Sequence, residues 1–277
     1  MYRLSVALIV LGFVTPGSIL AQTVYEPFDY SAASPVLGQN GGIGWGGPWT
    51  YTGNWTTSSS GLTFGSLVTQ GNAAQGSGAA GSEVRRNFAT SFLDTGGDVW
   101  FSYLTQPNVD PTNSTNGLIL VPGAGSTDGR AMMVGWFSGV TTTYGMATFP
   151  AIGFVGTNVA PSVGQTTFLV GRIQFAAGND TITLWANPTP GLANPDTTAF
   201  TKTDYDFGTS IDSAFLVRSF GDWTNDEIRF GDSFASVSAI PEPTTWALIA
   251  TVGLSGTGIM WRRRSLRNKK RTYLRKA

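Results

Sequence analysis

The chain has 277 residues, with 17 Lys+Arg, 17 Asp+Glu, no His and no Cys. The even balance hides a division: nine cations crowd the last sixteen residues and one stands at position 3, so residues 22–240 carry seven cations against sixteen acids, a net charge near −9. An acidic body poor in Lys lacks the basic surface that nucleic acid requires, and without His or Cys there is no Ser-His-Asp triad, thiol nucleophile or ordinary zinc site.

Residues Met1 to Ala21 have the form of a secretory signal peptide. Arg3 gives the positive start, Val6 to Val14 the short apolar core, Pro16 and Gly17 the break, and Ala21 the small residue at the cut. Residues 22–239 then form one exported domain. That length suits a single β-sandwich and is enough to bury a sizeable core without disulfides.

Short apolar or alternating runs separated by Gly, Ser, Asn and Pro predict an all-β, two-sheet jelly-roll sandwich of twelve to fourteen strands. Thr23 to Tyr30 reads as a first strand at an edge, because Pro27 cannot donate to a ladder. Ser34 to Trp55 is irregular, with seven glycines and three tryptophans. Gly61 to Val68 and Ser82 to Phe88 read as short strands, the second at an edge. Asp98 to Leu104 alternates clearly, with Val99, Phe101 and Tyr103 on one face and Trp100, Ser102 and Leu104 on the other. Leu118 to Val121, Ala131 to Phe137 and Met146 to Phe154 follow as single strands. Thr167–Phe175 and Thr181–Ala186 make the best hairpin, with Leu169, Ile173 and Phe175 facing one way. Thr189 to Asp206 reads as a long loop, and Ser213 to Phe220 and Asp226 to Phe230 as the last strands.

Three chemistries suggest themselves. Aromatic faces stack on sugar rings, and Trp45, Trp49 and Trp55 in the glycine-rich segment, with Trp223 among acids, are the candidate glycan-binding residues; the alternative for each is a place in the core. Calcium is the one cofactor the composition leaves open, through Asp222, Asp226 and Asp232, although Asp is also an ordinary turn residue. A glycosidase needs two carboxylates at catalytic separation, and the domain has only three Glu: Glu26, Glu83 and Glu227. Adjacent Asp226 and Glu227 would point to opposite faces of a strand, so a charged strand end paired with Arg229 or Arg218 is expected instead, and no catalytic residue is assigned.

The last residues, 240–277, carry a different message. Pro241, Glu242 and Pro243 precede an uncharged apolar run, Thr244 to Trp261, then the cluster Arg262, Arg263 and Arg264 and six further cations. The run's 18 residues would extend roughly 27 Å as a helix at about 1.5 Å each, near the thickness of a bilayer core. The basic tail at 262–277 would stay cytoplasmic. This arrangement resembles the PEP-CTERM sorting signal of Gram-negative bacteria that make extracellular polysaccharide. The resemblance implies a transmembrane helix at 244–261 that serves temporarily, with removal by an exosortase-type membrane transpeptidase; a permanent anchor is the alternative. Within the domain, Glu26-Pro27-Phe28-Asp29-Tyr30, Phe168-Leu169-Val170-Gly171-Arg172-Ile173, Leu184-Trp185-Ala186-Asn187-Pro188 and Asp226-Glu227-Ile228-Arg229-Phe230-Gly231 resemble the concanavalin A-like, laminin G-like domains often joined to that signal. That likeness implies the sandwich and a leaning towards carbohydrate.

The expectation is therefore a non-enzymatic, exported cell-surface or matrix protein, structural or associated with extracellular polysaccharide. A carbohydrate-active hydrolase or lyase on the same fold is the alternative.

Overall fold

The computed structural model describes residues 24–240, apart from 52, 79–80, 95–96, 124–130, 140 and 150–151. The signal peptide and the sorting motif, span and basic tail expected at 241–277 lie outside the described residues. Among the described residues no helix is long and apolar enough to cross a membrane.

Two facing sheets are built from fourteen described strands. The first has eight. Its centre is β14 (Trp223–Gly231), flanked by β5 (Val99–Pro107), then the hairpin β10 (Thr167–Gln174) and β11 (Asp180–Ala186), and edge strand β12 (Phe200–Tyr205). On its other side β14 pairs with β3 (Ala74–Gly76), which leads to β2 (Trp55–Thr57), and further along with β1 (Val24–Glu26). The second sheet runs β4 (Ser82–Leu93), β13 (Ser210–Ser219), β6 (Thr115–Pro122), β7 (Met132–Trp136), β8 (Gly145–Thr148) and β9 (Ile152–Gly156).

The alternation of β5 explains the layering. Val99, Phe101 and Tyr103 enter the inter-sheet core with Leu169, Ile173, Ile182, Leu184, Leu118, Leu120 and Leu216. Trp100 and Leu104 face outward, where they join Phe168, Val170 and Trp185 in a second cluster. That outer face is not left wet. Leu62, Phe64 and Leu67 cover it, as do Phe234 and Val237 of a one-turn helix, α1 (Phe234–Val237), which Ser233 caps. Each such side chain contributes about 1.5–3 kcal/mol when fully buried.

One irregularity organises the covered face. β14 changes partners from β3, at Trp223 to Asn225, to β1, at Ile228 to Phe230. Between them its register against β5 shifts, and Glu227 takes a left-handed φ of 54°. The bulge turns both Asp226 and Glu227 towards the covering segment: Asp226 accepts from Leu62 N at 2.8 Å and Glu227 from Gln70 N at 2.7 Å.

Several sequence expectations change here. Gly61 to Val68 is no strand; its alternating Leu62 and Phe64 pack down onto Trp100 and Phe168 as a lid. Met146 to Phe154 is two strands, because β8 folds back onto β9. The long loop expected at Thr189 to Asp206 contains β12, which adds to β11. Lys202 on that strand reaches across to donate to Gly153 O at 2.7 Å, and so ties the edge strands of the two sheets together.

Candidate functional site

The glycine- and tryptophan-rich segment wraps the side of the sandwich between β4 and β1. A buried hub holds it there. Glu26 accepts from Phe28 N at 2.9 Å, Tyr30 Oη at 2.8 Å, Trp49 Nε1 at 3.0 Å and Arg86 Nη1 at 2.5 Å. Arg86 in turn donates to Gly41 O, Gly47 O and Asn40 Oδ1, and its guanidinium lies 5.0 Å from the centre of the Trp45 ring. Burial pushes the Glu26 carboxyl above its ordinary range against the pull of these donors.

This arrangement decides the tryptophans. Trp49 and Trp55 are 1 % exposed and Trp223 is fully enclosed, so none of the three presents a ring face to a sugar. Trp49 stacks on Phe28 at 5.7 Å, and the Trp223 indole donates to Ser114 Oγ at 2.9 Å. Half-buried Trp45 leans on Phe88 at 5.4 Å and donates to Tyr25 O. The glycan expectation for these four gives way to the core alternative: Trp45 and Trp49 pack the wrapped segment, Trp55 is buried in the inter-sheet core, and Trp223 packs edge-on to Tyr144.

The acids expected to hold calcium are not brought together. Asp222 accepts from Gln75 and Asn108, Asp226 from Leu62 N and Glu227 N, and Asp232 from Ser233. Among the described residues no group of three or more acids is placed to hold a metal ion. Glu227 pairs with Arg229 and accepts from Tyr25 Oη at 2.9 Å, on the face of β1 away from Glu26, so those two carboxylates form no catalytic pair. Burial, then the Glu227 charge, pushes the Asp226 carboxyl well up.

An open cleft of about 940 Å³ lies elsewhere, at one end of the six-stranded sheet. Three connections meet there: 108–114 after β5, 137–139 with 141–144 after β7, and 157–161 after β9. Its walls are the edge of Trp136 and the ring of Phe154; its rim is Asp110, Thr112, Asn113, Ser138 and Thr141 to Thr143. The Trp136 indole donates to Pro111 O at 2.9 Å and Ser138 Oγ to Thr112 O at 3.0 Å, which fix the first two connections to each other. Asn113, Thr142 and Thr143 have no side-chain hydrogen-bond partner among the described residues. Asp110 is exposed, and hydrogen bonds from the Thr112 hydroxyl and amide pull its carboxyl below the ordinary range. Among the described residues it is the one ionisable residue of the rim, and no Lys or Arg lines the cleft.

Phe154 lies where it does because of a row of glycines. Gly117, Gly135, Gly145 and Gly156 stand opposite one another across β6, β7, β8 and β9. A Cβ on Gly145 would come within 2.4 Å of the Phe154 ring, and one on Gly156 within 2.8 Å. The ring therefore lies flat over bare backbone, edge-on to Phe137 at 5.5 Å. Sequence reasoning missed this cleft. Trp136 reads as a core strand residue, which at 6 % exposure it largely is. The signal that was present, a Thr run at 141–143 beside Gly-Phe-Val-Gly at 153–156, acquires meaning only through strand register.

No family model matches the chain, and no curated protein does. Among solved structures, the chain is similar to an endo-1,3-beta-glucanase from Streptomyces sioyaensis, with a TM-score of 0.51 and 11 % identity over 79 % of this chain and 98 % of that one. The globular domain of T. cruzi calreticulin gives 0.46 at 12 % identity, over 76 % and 91 % of the two chains. Lectin II from Ulex europaeus gives 0.41 at 14 %, over 66 % and 92 %. At 11 % identity the likeness to the glucanase is one of fold, and the fold is the two-sheet, concanavalin A-like jelly roll.

Proposed function

We propose that this chain is an exported, non-catalytic carbohydrate-associated module whose cleft takes a neutral glycan. The observation that carries this reading is the cleft's lining. An aromatic ring, Phe154, lies beside uncommitted amide and hydroxyl groups of Asn113, Thr142 and Thr143, with one exposed acid and no cation. Sugars offer apolar ring faces and hydroxyls, which such a wall complements. A polyanionic chain would meet ionised Asp110 with nothing to offset the repulsion. The endo-1,3-beta-glucanase that shares the fold is consistent with a carbohydrate ligand. Among the described lining residues Asp110 has no second carboxylate for a two-carboxylate hydrolytic mechanism, while Glu26, Asp226 and Glu227 are committed to internal hydrogen bonds.

Delivery belongs to the same proposal. Residues 1–21 would direct export. Pro241, Glu242 and Pro243 with the span and Arg262, Arg263 and Arg264 would deliver the domain to an exosortase-type transpeptidase, and so to the cell surface or matrix. The chain's exit supports free presentation of the cleft: Ala239 accepts from Val68 N on the outer face of the eight-stranded sheet, whereas the cleft belongs to the other sheet.

Calorimetric titration with neutral glucan and with alginate oligosaccharides tests the ligand. Binding of the glucan alone, weakened about tenfold in Phe154→Ala (about 1.4 kcal/mol) with little change in Tm, is the expected outcome. Equal or tighter binding of alginate would overturn it. The intact mass of surface-recovered protein tests delivery: loss of both ends is expected, and retention of Arg262 to Ala277 would mean a permanent anchor.

A further inference from the structure

We infer that the cleft is one part of a longer site and that the ligand is an extended chain of several sugars, held at its far end by Phe220. This rests on the carbohydrate reading of the cleft and adds a residue and a substrate class to it.

Phe220 begins the three-residue connection that carries the chain from β13 in one sheet to β14 in the other. Its backbone is left-handed, at φ 60°, followed by Gly221 at φ 71°. Asn or Gly takes that conformation readily, and a bulky side chain does not. A strained Phe is usually repaid by burial, yet Phe220 is 53 % exposed. The chain thus holds a large apolar ring in water on a backbone that disfavours it. Strain without a packing return points to a ligand contact.

The ring's place on the molecule says which ligand. Ser219, the last residue of β13, pairs with Thr115, the first of β6, and a Cβ on Gly221 would touch the Ser114 side chain at 2.8 Å. Phe220 therefore stands beside the connection 108–114 whose other flank, with Thr112 and Asn113, forms the cleft rim. The same end carries Val109, 45 % exposed. Across the six-stranded sheet, β13 and β9 are separated by four strand spacings of about 4.8 Å each, and Phe220 lies further along the strand direction as well, so it stands at least roughly 19 Å from Phe154. One sugar ring cannot reach both. A chain can, crossing the exposed amide and hydroxyl groups of Asn113 and Thr112 on the way. Neither the cleft nor the connection contributes an accessible cation, in keeping with a neutral chain; the nearby Arg218 is 1 % exposed and donates to Gly78 O and Ser77 O.

The test is a titration of the folded exported domain, with its leader and tail removed by the cell that secretes it, against laminari- and cello-oligosaccharides of three and six units. The hexasaccharide of one series is expected to bind at least tenfold tighter than its trisaccharide. Phe220→Asn should abolish that advantage while leaving the trisaccharide affinity unchanged and the Tm equal or higher, since Asn suits the left-handed backbone. Phe220→Tyr, which keeps a ring, should retain the advantage; this variant guards against a folding defect in the first. Equal affinities for three and six units, or a hexasaccharide advantage that survives Phe220→Asn, would overturn the extended site while leaving the cleft in place. Failure of either length to bind, with Phe154→Ala indistinguishable from the parent chain, would remove the cleft reading as well.

Discussion

Two regions of this sandwich are rich in glycine and aromatic residues, and they use them in opposite ways. Along the wrapped side, at 34–55, the ring of Trp49 is turned inward beside buried Glu26 and Arg86, and Trp55 is buried as well. At the cleft end the glycines lie under a ring, Phe154, that stays partly open. The carboxyls follow the same division: burial drives Glu26 upward, whereas the exposed Asp110 is drawn downward by its hydrogen bonds. Composition alone does not separate a plug from a platform. A buried charge with enough donors converts the first into core, and an uncommitted rim leaves the second available.

The largest effect should come from breaking the hub. Arg86 makes four hydrogen bonds, one of them its ion pair with Glu26, with side chains 1 % and 0 % exposed. Arg86→Ala would leave Glu26 enclosed without its counter-charge, and about 3–5 kcal/mol of unfolding free energy should be lost in urea melts. A loss under 1 kcal/mol would mean that the wrapped segment is held by its tryptophans and not by the ion pair.

How far the sequence reveals this contrast depends on the range of the interaction. The strands β5, β10 and β11 are legible because alternation is local: Val99, Phe101 and Tyr103 do face the core, and Trp100 and Trp185 do face away, stacked 5.4 Å apart. The segment at Gly61 to Val68 also alternates, yet it becomes a lid, because the choice is made by Asp226 and Glu227 more than 150 residues later. β12 was hidden by its sequence, Phe-Thr-Lys-Thr-Asp-Tyr, which reads as loop until Lys202 is seen closing the sandwich edge. The fates of Trp49 and Trp223 were settled by Glu26 and Ser114, partners 23 and 109 positions away. The cleft was least legible of all, since Phe154 depends on the register of three strands.

A second, smaller effect sharpens the pH contrast. Asp226 is pushed well above the ordinary carboxylate range by burial and by Glu227. A raised carboxyl contributes stability fully at pH below its unfolded value of about 3.9, and loses it as pH rises through the folded value. The Tm advantage of the parent chain over Asp226→Asn should therefore be largest near pH 4 and shrink towards pH 8. Asn keeps one of the two acceptors used by Leu62 N and Glu227 N, so the remaining difference should be on the order of 1 kcal/mol. An advantage that grows with pH would show that Asp226 is held ionised by its two amide donors.

The smallest effect on stability should fall at the cleft, and there the readout is binding. A methyl at Gly156 would meet Thr143 Oγ1 at 2.7 Å and the Phe154 ring at 2.8 Å. Both are side-chain atoms able to shift, so Gly156→Ala should cost only about 1 kcal/mol, the low end for overpacking. The ring, however, can no longer lie flat. Glucan affinity should fall towards that of Phe154→Ala while Asp110 and the rim other than Thr143 remain in place, and the double variant should be little worse than either alone. Such non-additivity is expected only when the glycine acts through the ring. Additive losses would mean that Gly156 contributes to the cleft by itself, and the row of glycines would then be a matter of sheet packing and not of holding Phe154 open to a ligand.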